Sequence, residues 1–351
     1  MNPRKMKSMR LLLVLLAAAS VISCQTARMP AKCTIIVREN IFENAPFKQC
    51  HASTLAELKD GRLTAAWFGG SYEGSSDVGI WSSVKAGGSW STPVEIANGV
   101  MDDSLRFPCW NPVFFRSDDN LLSLFYKVGP NPREWWGMVI RSADGGKNWS
   151  KPEKLPDGII GPVKNKPITL PSGVILSPSS AESITSWHSY IERSQDGGKT
   201  WVKIPVDTTN PAKVIQPTLL LYPQGKIQAL FRSNQDYIME SWSHDEGKTW
   251  SYLQNIAVQN PNSGIDAVTL SSGLQVLVYN PMQSGAEWVN GRNRLNVAVS
   301  VDGKTWKDMA VLEDQPEGEF SYPSVIQASD KTVHVVYTSN RKSIKHVVLK
   351  F

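Results

Sequence analysis

One signature recurs four times along the chain and restricts its fold more than any other feature. Ser142, Asp144, Gly146 and Trp149 are spaced like Ser194, Asp196, Gly198 and Trp201, and again like Ser243, Asp245, Gly247 and Trp250. Ser300, Asp302, Gly303 and Trp306 repeat the pattern one residue shorter, and a worn copy from Ser83 to Trp90 lacks the aspartate. The chemistry is that of a tight hairpin turn. The carboxylate accepts backbone N–H groups, the glycine supplies a positive φ, and the indole packs back on the strands. These aspartates are therefore expected to be structural.

A second repeat runs in step with the first. An apolar strand, a polar turn and a returning apolar strand recur with turns at Asp60-Gly61, Asp118-Asp119-Asn120, Ser172-Gly173, Gln224-Gly225, Ser272-Gly273 and Asp330-Lys331. The spacing of about 48 to 59 residues is that of propeller blades, and no helical stripe intervenes. The sequence thus predicts an all-β, six-bladed propeller with four-stranded blades. An open ring would expose strand edges, so Thr34–Arg38 and Ile344–Leu349 are expected to close it within one blade.

Before the propeller, Lys5, Lys7 and Arg10 precede a short apolar run from Leu11 to Ala19, and Val21-Ile22-Ser23-Cys24 reads as a lipobox. The run is too short to span a bilayer. The organisation expected is a lipoprotein signal peptide over residues 1–23, a lipidated Cys24 with its tether over 24–32, and the propeller over 33–351. The protein would be exported and membrane-anchored, facing the periplasm or the cell surface. Cys33, Cys50 and Cys109 are an odd number for an oxidising compartment, so at least one is free or pairs elsewhere. A disulfide between Cys50 and Cys109 and two buried thiols are both open. The net charge of +5 comes from scattered residues, which gives nucleic-acid binding little support. No metal-ligand spacing is present, and no cofactor is expected.

The repeated Ser-x-Asp-x-Gly-x-x-Trp box resembles the bacterial sialidase (neuraminidase) superfamily, also called the BNR-repeat family, and the likeness covers essentially all of the mature chain. The chain looks like its predicted-neuraminidase subgroup. The resemblance implies three arginines clamping a substrate carboxylate, an aspartate acid/base, and a tyrosine nucleophile supported by a glutamate. Tyr322, in Phe320-Ser321-Tyr322-Pro323, matches the nucleophile's position. Arg232 matches the second arginine and Arg294 the third. The glutamate's place is taken by Gln216, and the first arginine's motif is replaced by Gln49-Cys50-His51-Ala52. Glu73 and Asp77 lie in the loop that should carry the acid/base.

Other polar residues are expected on the same rim. Asn111 opens blade two, Lys164 and Lys166 open blade three, and Glu182 follows its second strand. Asn260, Asn262 and Asp266 lead into blade five, and Tyr337 and Arg341 end the second strand of blade six. The function expected is exo-acting hydrolysis releasing a terminal acidic sugar, sialic acid or a related keto-sugar acid. Tyr322 would attack, Glu182 or His51 would act as base, and Asp77 or Glu73 as acid. Arg232 and Arg294, with Arg341 or Lys164, would hold the carboxylate. Two alternatives stand beside it: a propeller lyase or hydrolase acting on uronic-acid or rhamnose polysaccharide, with His51 and Tyr322 as base and acid, and a non-catalytic glycan-binding lipoprotein.

Overall fold

The computed structural model describes residues 27–117 and 120–351; the leader, Cys24 and the Asp118-Asp119 turn lie outside them. Six antiparallel sheets follow one another along the chain, as the repeats require. Blade one pairs Gln49–Glu57, Leu63–Gly70 and Gly79–Ala86, with Ser89–Trp90 and Val94–Ala97 both beside the third strand. Blade two runs Cys109–Arg116, Leu122–Val128, Trp136–Ser142 and Glu153–Lys154. Blade three has an inner strand of only Ile168–Thr169, followed by Ile175–Glu182, Trp187–Ser194 and Val202–Pro205. Blade four is Val214–Leu221, Ile227–Ser233, Tyr237–Ser243 and Gln254–Gln259; blade five is Asp266–Thr269, Gln275–Tyr279, Arg294–Ser300 and Lys307–Asp314.

Blade six closes the ring. Phe320–Gln327, Val333–Ser339 and Ser343–Lys350 come from the C-terminus, and the fourth strand, Thr34–Asn40, comes from the N-terminus. Thr34 pairs with Lys350 and Asn40 with Lys345, which is the closure the two strand-like ends predicted. The outer edge of Ser343–Lys350, which would otherwise be open, is thereby paired.

The core is a ring of apolar seams between neighbouring blades. One joins Phe114, Leu124 and Tyr126 of blade two to Phe68 and Ile80 of blade one; another joins Val276 and Val297 of blade five to Val325 and Val335 of blade six. Because each of these seams is shared by two neighbouring sheets, a blade cannot tilt without opening it.

The Asp-box turns bind their own backbone. Asp196 Oδ1 accepts from the amides of Lys199 at 3.0 Å and Thr200 at 2.9 Å and from Ser194 Oγ at 2.8 Å, while Trp201 Nε1 donates to the Gly198 carbonyl at 3.0 Å. Asp144, Asp245 and Asp302 accept from their own turn amides in the same way, and Trp250 and Trp306 likewise donate to Gly247 and Gly303. Each box joins the third strand of a blade to the fourth. Antiparallel pairing therefore puts the boxes at the same end of the ring as the turns joining first to second strands. The opposite end carries the starts of the inner strands and the ends of the second strands: Gln49 beside Gly70, Val214 beside Ser233, Phe320 beside Ser339. That end is the mouth.

Candidate functional site

Four inner strands carry an extra residue at equivalent points near the mouth. Their pairing slips between His51 and Thr54, Trp110 and Val113, Ile215 and Thr218, and Ser321 and Ser324. Within the slips, Ala52, Asn111, Gln216 and Tyr322 have φ of 55°, 39°, 54° and 53°. A β-bulge bends its strand and re-aims a side chain. Holding a bulky tyrosine in this region costs of order 1–3 kcal/mol, a strain found mainly at functional sites. Pro112, Pro217 and Pro323 follow three of these residues and have no N–H to offer the interrupted ladder.

Tyr322 lies within a cluster of cations and rings. Its phenol oxygen accepts a 2.6 Å bond from Arg232 Nη1, which also reaches Gln216 Oε1 at 3.2 Å, while Arg232 Nε donates to Asn262 Oδ1 at 2.8 Å. The guanidinium carbons of Arg232 and Arg292 each stand 5.8 Å from the Tyr322 ring centre. His51 packs against the ring with centroids 4.2 Å apart and the planes tilted by 47°, and its Nδ1 is 2.9 Å from Thr338 Oγ1. Burial, then the charges of Arg341, Arg292, Arg232 and Lys164, hold the imidazole well below its usual pKa, so it is neutral at neutral pH. Gly264 backs the tyrosine: a Cβ there would meet Tyr322 Cγ at 3.2 Å and Lys164 Cε at 3.1 Å. A side chain at 264 would have to displace one of them.

A single buried carboxylate fixes two arginines. Glu319 bonds Arg292 Nη1 at 3.1 Å and Arg341 Nε at 2.8 Å, and accepts from Ser321 Oγ at 2.8 Å. Arg341 also reaches Glu73 at 2.5 Å. Its carbonyl accepts from the amide of Cys50 at 2.8 Å, so Arg341 adjoins the start of blade one, where the resemblance placed the missing first arginine. Trp288 covers both guanidiniums, 4.8 Å from Arg292 and 4.8 Å from Arg341, and Trp187 lies 5.9 Å from Arg232.

Several expected site residues are placed differently. Arg294 is not beside Tyr322. It forms an exposed fork with Asp314, Nε to Oδ1 at 3.0 Å and Nη2 to Oδ2 at 2.6 Å, because it opens the third strand of blade five opposite that residue. Arg292, two residues earlier and buried, takes the place beside the tyrosine. Lys164 and Lys166 are bound inside the ring. Lys164 Nζ donates to Ile265 O at 2.7 Å, Asn165 Oδ1 at 3.0 Å and Pro323 O, which uses all three of its N–H groups, and burial pushes its pKa down to about 7. Lys166 pairs with buried Asp266 at 2.8 Å, and Asp266 also accepts from the Thr218 hydroxyl and the Val325 amide. With so short an inner strand, blade three fills its share of the axis with these lysine links. Tyr337 is fully buried and bonds Glu313 at 2.7 Å, away from the Tyr322 cluster. Asn111 is buried on its bulge.

The carboxylates separate by environment. Burial raises the pKa of Asp77, but hydrogen bonds from Ser75 and from the Ser71 hydroxyl and amide outweigh it and hold the group ionised below the usual range. It organises its loop and holds no proton to donate at neutral pH. Glu73 is committed to Arg341. Burial raises the pKa of Glu182 despite its electrostatic neighbours Arg232 and Arg133. The expected carboxylate partner of the phenol is replaced by the guanidinium of Arg232.

Sequence reasoning missed Arg292, Glu319, Thr338, Trp187 and Trp288, while Asn262, expected on the rim, is there and holds Arg232. Arg292 had a signal, since it stands in Arg292-Asn293-Arg294, but nothing in that spacing says which arginine turns inward. Cys33, Cys50 and Cys109 are free thiols. Among the described residues, no group of three or more His, Cys, Asp or Glu could hold a metal ion.

An arginine-ringed tyrosine at the mouth of an Asp-box, six-bladed propeller defines a propeller of the sialidase type. Residues 61–335 match the family described as the BNR repeat-like domain, and the chain belongs to that family, within the sialidase superfamily. The sialidase of Bacteroides fragilis is 22% identical over 253 residues, covering 63% of this chain and 44% of that protein. The chain thus spans less than half the length of the curated relatives it matches. A protein of unknown function from Dyadobacter fermentans shares the fold with a TM-score of 0.74 at 17% identity, over 92% of this chain and all of that one. Trypanosoma rangeli sialidase, solved with sialic acid, gives 0.65 at 18% identity, over 92% of this chain and 59% of that one.

Proposed function

We propose that the chain is an exported, lipid-anchored exo-glycosidase that releases a terminal acidic sugar, sialic acid or a related keto-sugar acid, at the mouth around Tyr322. The observation that carries this reading is the gathering of Arg232, Arg292 and Arg341 about one strained tyrosine. Three guanidiniums suit a carboxylate fixed to the reacting carbon, because each offers planar paired donors. A neutral phenol approaches such a carbon with less repulsion than a carboxylate nucleophile would meet.

In this reading Tyr322 Oη bonds to the anomeric carbon as the glycosidic C–O bond breaks. Glu182, kept protonated to higher pH by burial, gives its proton to the leaving oxygen. Arg232 stabilises the charge developing on the phenol oxygen, and neutral His51 takes the phenol proton. Water then displaces the tyrosine with Glu182 as base, and the departing phenolate recovers its proton from His51, giving net retention.

A second reading is favoured by Gln216, which stands where the family's glutamate is expected and cannot take a proton. Tyr322 with His51 would then act as an acid and base pair for β-elimination next to a uronic carboxylate. The test is incubation with a panel of glycans ending in sialic acid, other keto-sugar acids, uronic acids and rhamnose, with mass detection of the product. Release of an intact acidic sugar, with one water added across the bond, supports hydrolysis. An unsaturated product that absorbs in the ultraviolet transfers the assignment to elimination, and no product from any glycan leaves a binding lipoprotein.

A further inference from the structure

The N-terminal segment leaves the propeller on the face opposite the mouth. Thr34 pairs with Lys350 at the end of blade six's third strand, and that strand runs away from the mouth from Ser343. Ala27 is seated farther along the same face, where a Cβ on Gly273, in the turn after blade five's inner strand, would stand 3.4 Å from the Ala27 Cβ. Cys24 is three residues from that contact, so it lies at most about 11 Å away along a fully extended chain. The inner strands run up to nine residues, so the mouth is about 25 Å beyond that face at a rise of roughly 3.3 Å per residue.

We infer that the Asp-box face of the propeller is the surface that rests against the bilayer, so that the mouth points away from the membrane toward free or neighbouring glycans. The inference rests on the proposed lipidation of Cys24. With an anchor this close to the Ser272-Gly273 turn, the ring cannot present its mouth to the lipid without pulling Ala27 to Cys33 off the protein. The charge around the N-terminal segment agrees. Arg28, Lys32, Lys304, Lys331 and Lys350 are exposed there, against the ionised turn carboxylates of Asp302 and Asp330. Basic groups at this height are attracted to an anionic leaflet.

The test uses the full acylated chain in phosphatidylethanolamine–phosphatidylglycerol vesicles containing a headgroup-quencher lipid. In a Cys33→Ala background, a fluorophore is placed at Ser272→Cys or Lys304→Cys on the Asp-box face, or at Glu317→Cys or Lys342→Cys beside the mouth. Quenching is expected to be at least several-fold stronger at the first pair. Equal or reversed quenching in a chain that floats with the vesicles overturns the orientation. A chain that does not float overturns the anchor and the orientation with it. Neither readout depends on turnover, so failure of the glycosidase reading is separately visible.

Discussion

At the scale of the residue, the site is governed by which arginines are buried and which are exposed. Arg292 shares Glu319 with Arg341 and lies against Tyr322, whereas Arg294 forms an exposed fork with Asp314. Arg292→Ala is therefore expected to raise KM for the acidic sugar by roughly ten-fold or more, since losing one partner of a charged contact costs about 2 kcal/mol or more. Arg294→Ala should leave both the kinetics and the melting temperature essentially unchanged, as expected for an exposed ion pair. Steady-state kinetics and thermal melts of the two variants separate them, and equal losses would return Arg294 to the clamp. Glu182 gives a pH prediction. Burial raises its pKa, and an acid must be protonated to act, so kcat/KM should fall as pH rises through a value above the usual carboxylate range. Glu182→Gln should lower the rate and remove that alkaline limb from the pH profile; a limb unmoved in the variant would assign it to another group. The sequence placed a tyrosine, Arg232 and Arg341 at one end of the ring. It could not show that Arg292 rather than Arg294 turns inward, because that depends on Asp314 and Glu319, 20 and 27 residues further on.

At the scale of the element, the Asp-box turn and the inner-strand bulge divide the work. The box holds a hairpin with one carboxylate, and its four copies show how strongly a turn of fixed chemistry marks a sequence. Amide bonds from Asn148 depress the Asp144 pKa. The Thr200 hydroxyl heads the causes at Asp196, and at Asp245 the bonds from Thr249 and its neighbours outweigh burial and lower it to about 2. Depressed carboxylates stabilise the fold above their unfolded pKa of about 3.8, and that stability is lost as pH falls through the folded values. The melting temperature should therefore drop between about pH 4 and pH 2, and the triple variant Asp144→Asn, Asp196→Asn, Asp245→Asn should flatten that limb while starting from a lower melting point. Identical acid limbs in both proteins would remove the boxes as its source. The bulges were less legible, because a positive φ at Gln216 or Tyr322 is not a propensity of those residues. Their trace is the proline after Asn111, Gln216 and Tyr322, at one strand position in three blades, which reads as an interrupted ladder only once the strands are aligned.

At the scale of the whole molecule, closure converts six similar sheets into one asymmetric mouth. Thr34–Asn40 completes blade six, which fixes Arg341 against Cys50 of blade one and so joins the last blade's arginine to the first blade's histidine. Blade number and closure were readable because apolar hairpins and Asp boxes repeat. The filling of the axis was not, because the two repeats are silent about the stretch where Lys164 and Lys166 replace most of an inner strand. On the proposed hydrolysis, Tyr322, inside this ring of arginines, bonds covalently to the released sugar. The most direct measurement is peptide mass spectrometry after incubation with a fluorinated, activated analogue of the sugar identified in the glycan panel, one that slows the second step. An adduct of one sugar is expected on the peptide bearing Tyr322, and none in Tyr322→Phe, whose turnover should fall by roughly 10²–10⁴-fold with the fold intact. Full inactivation with the adduct on another residue, or near-normal turnover by Tyr322→Phe, would contradict it.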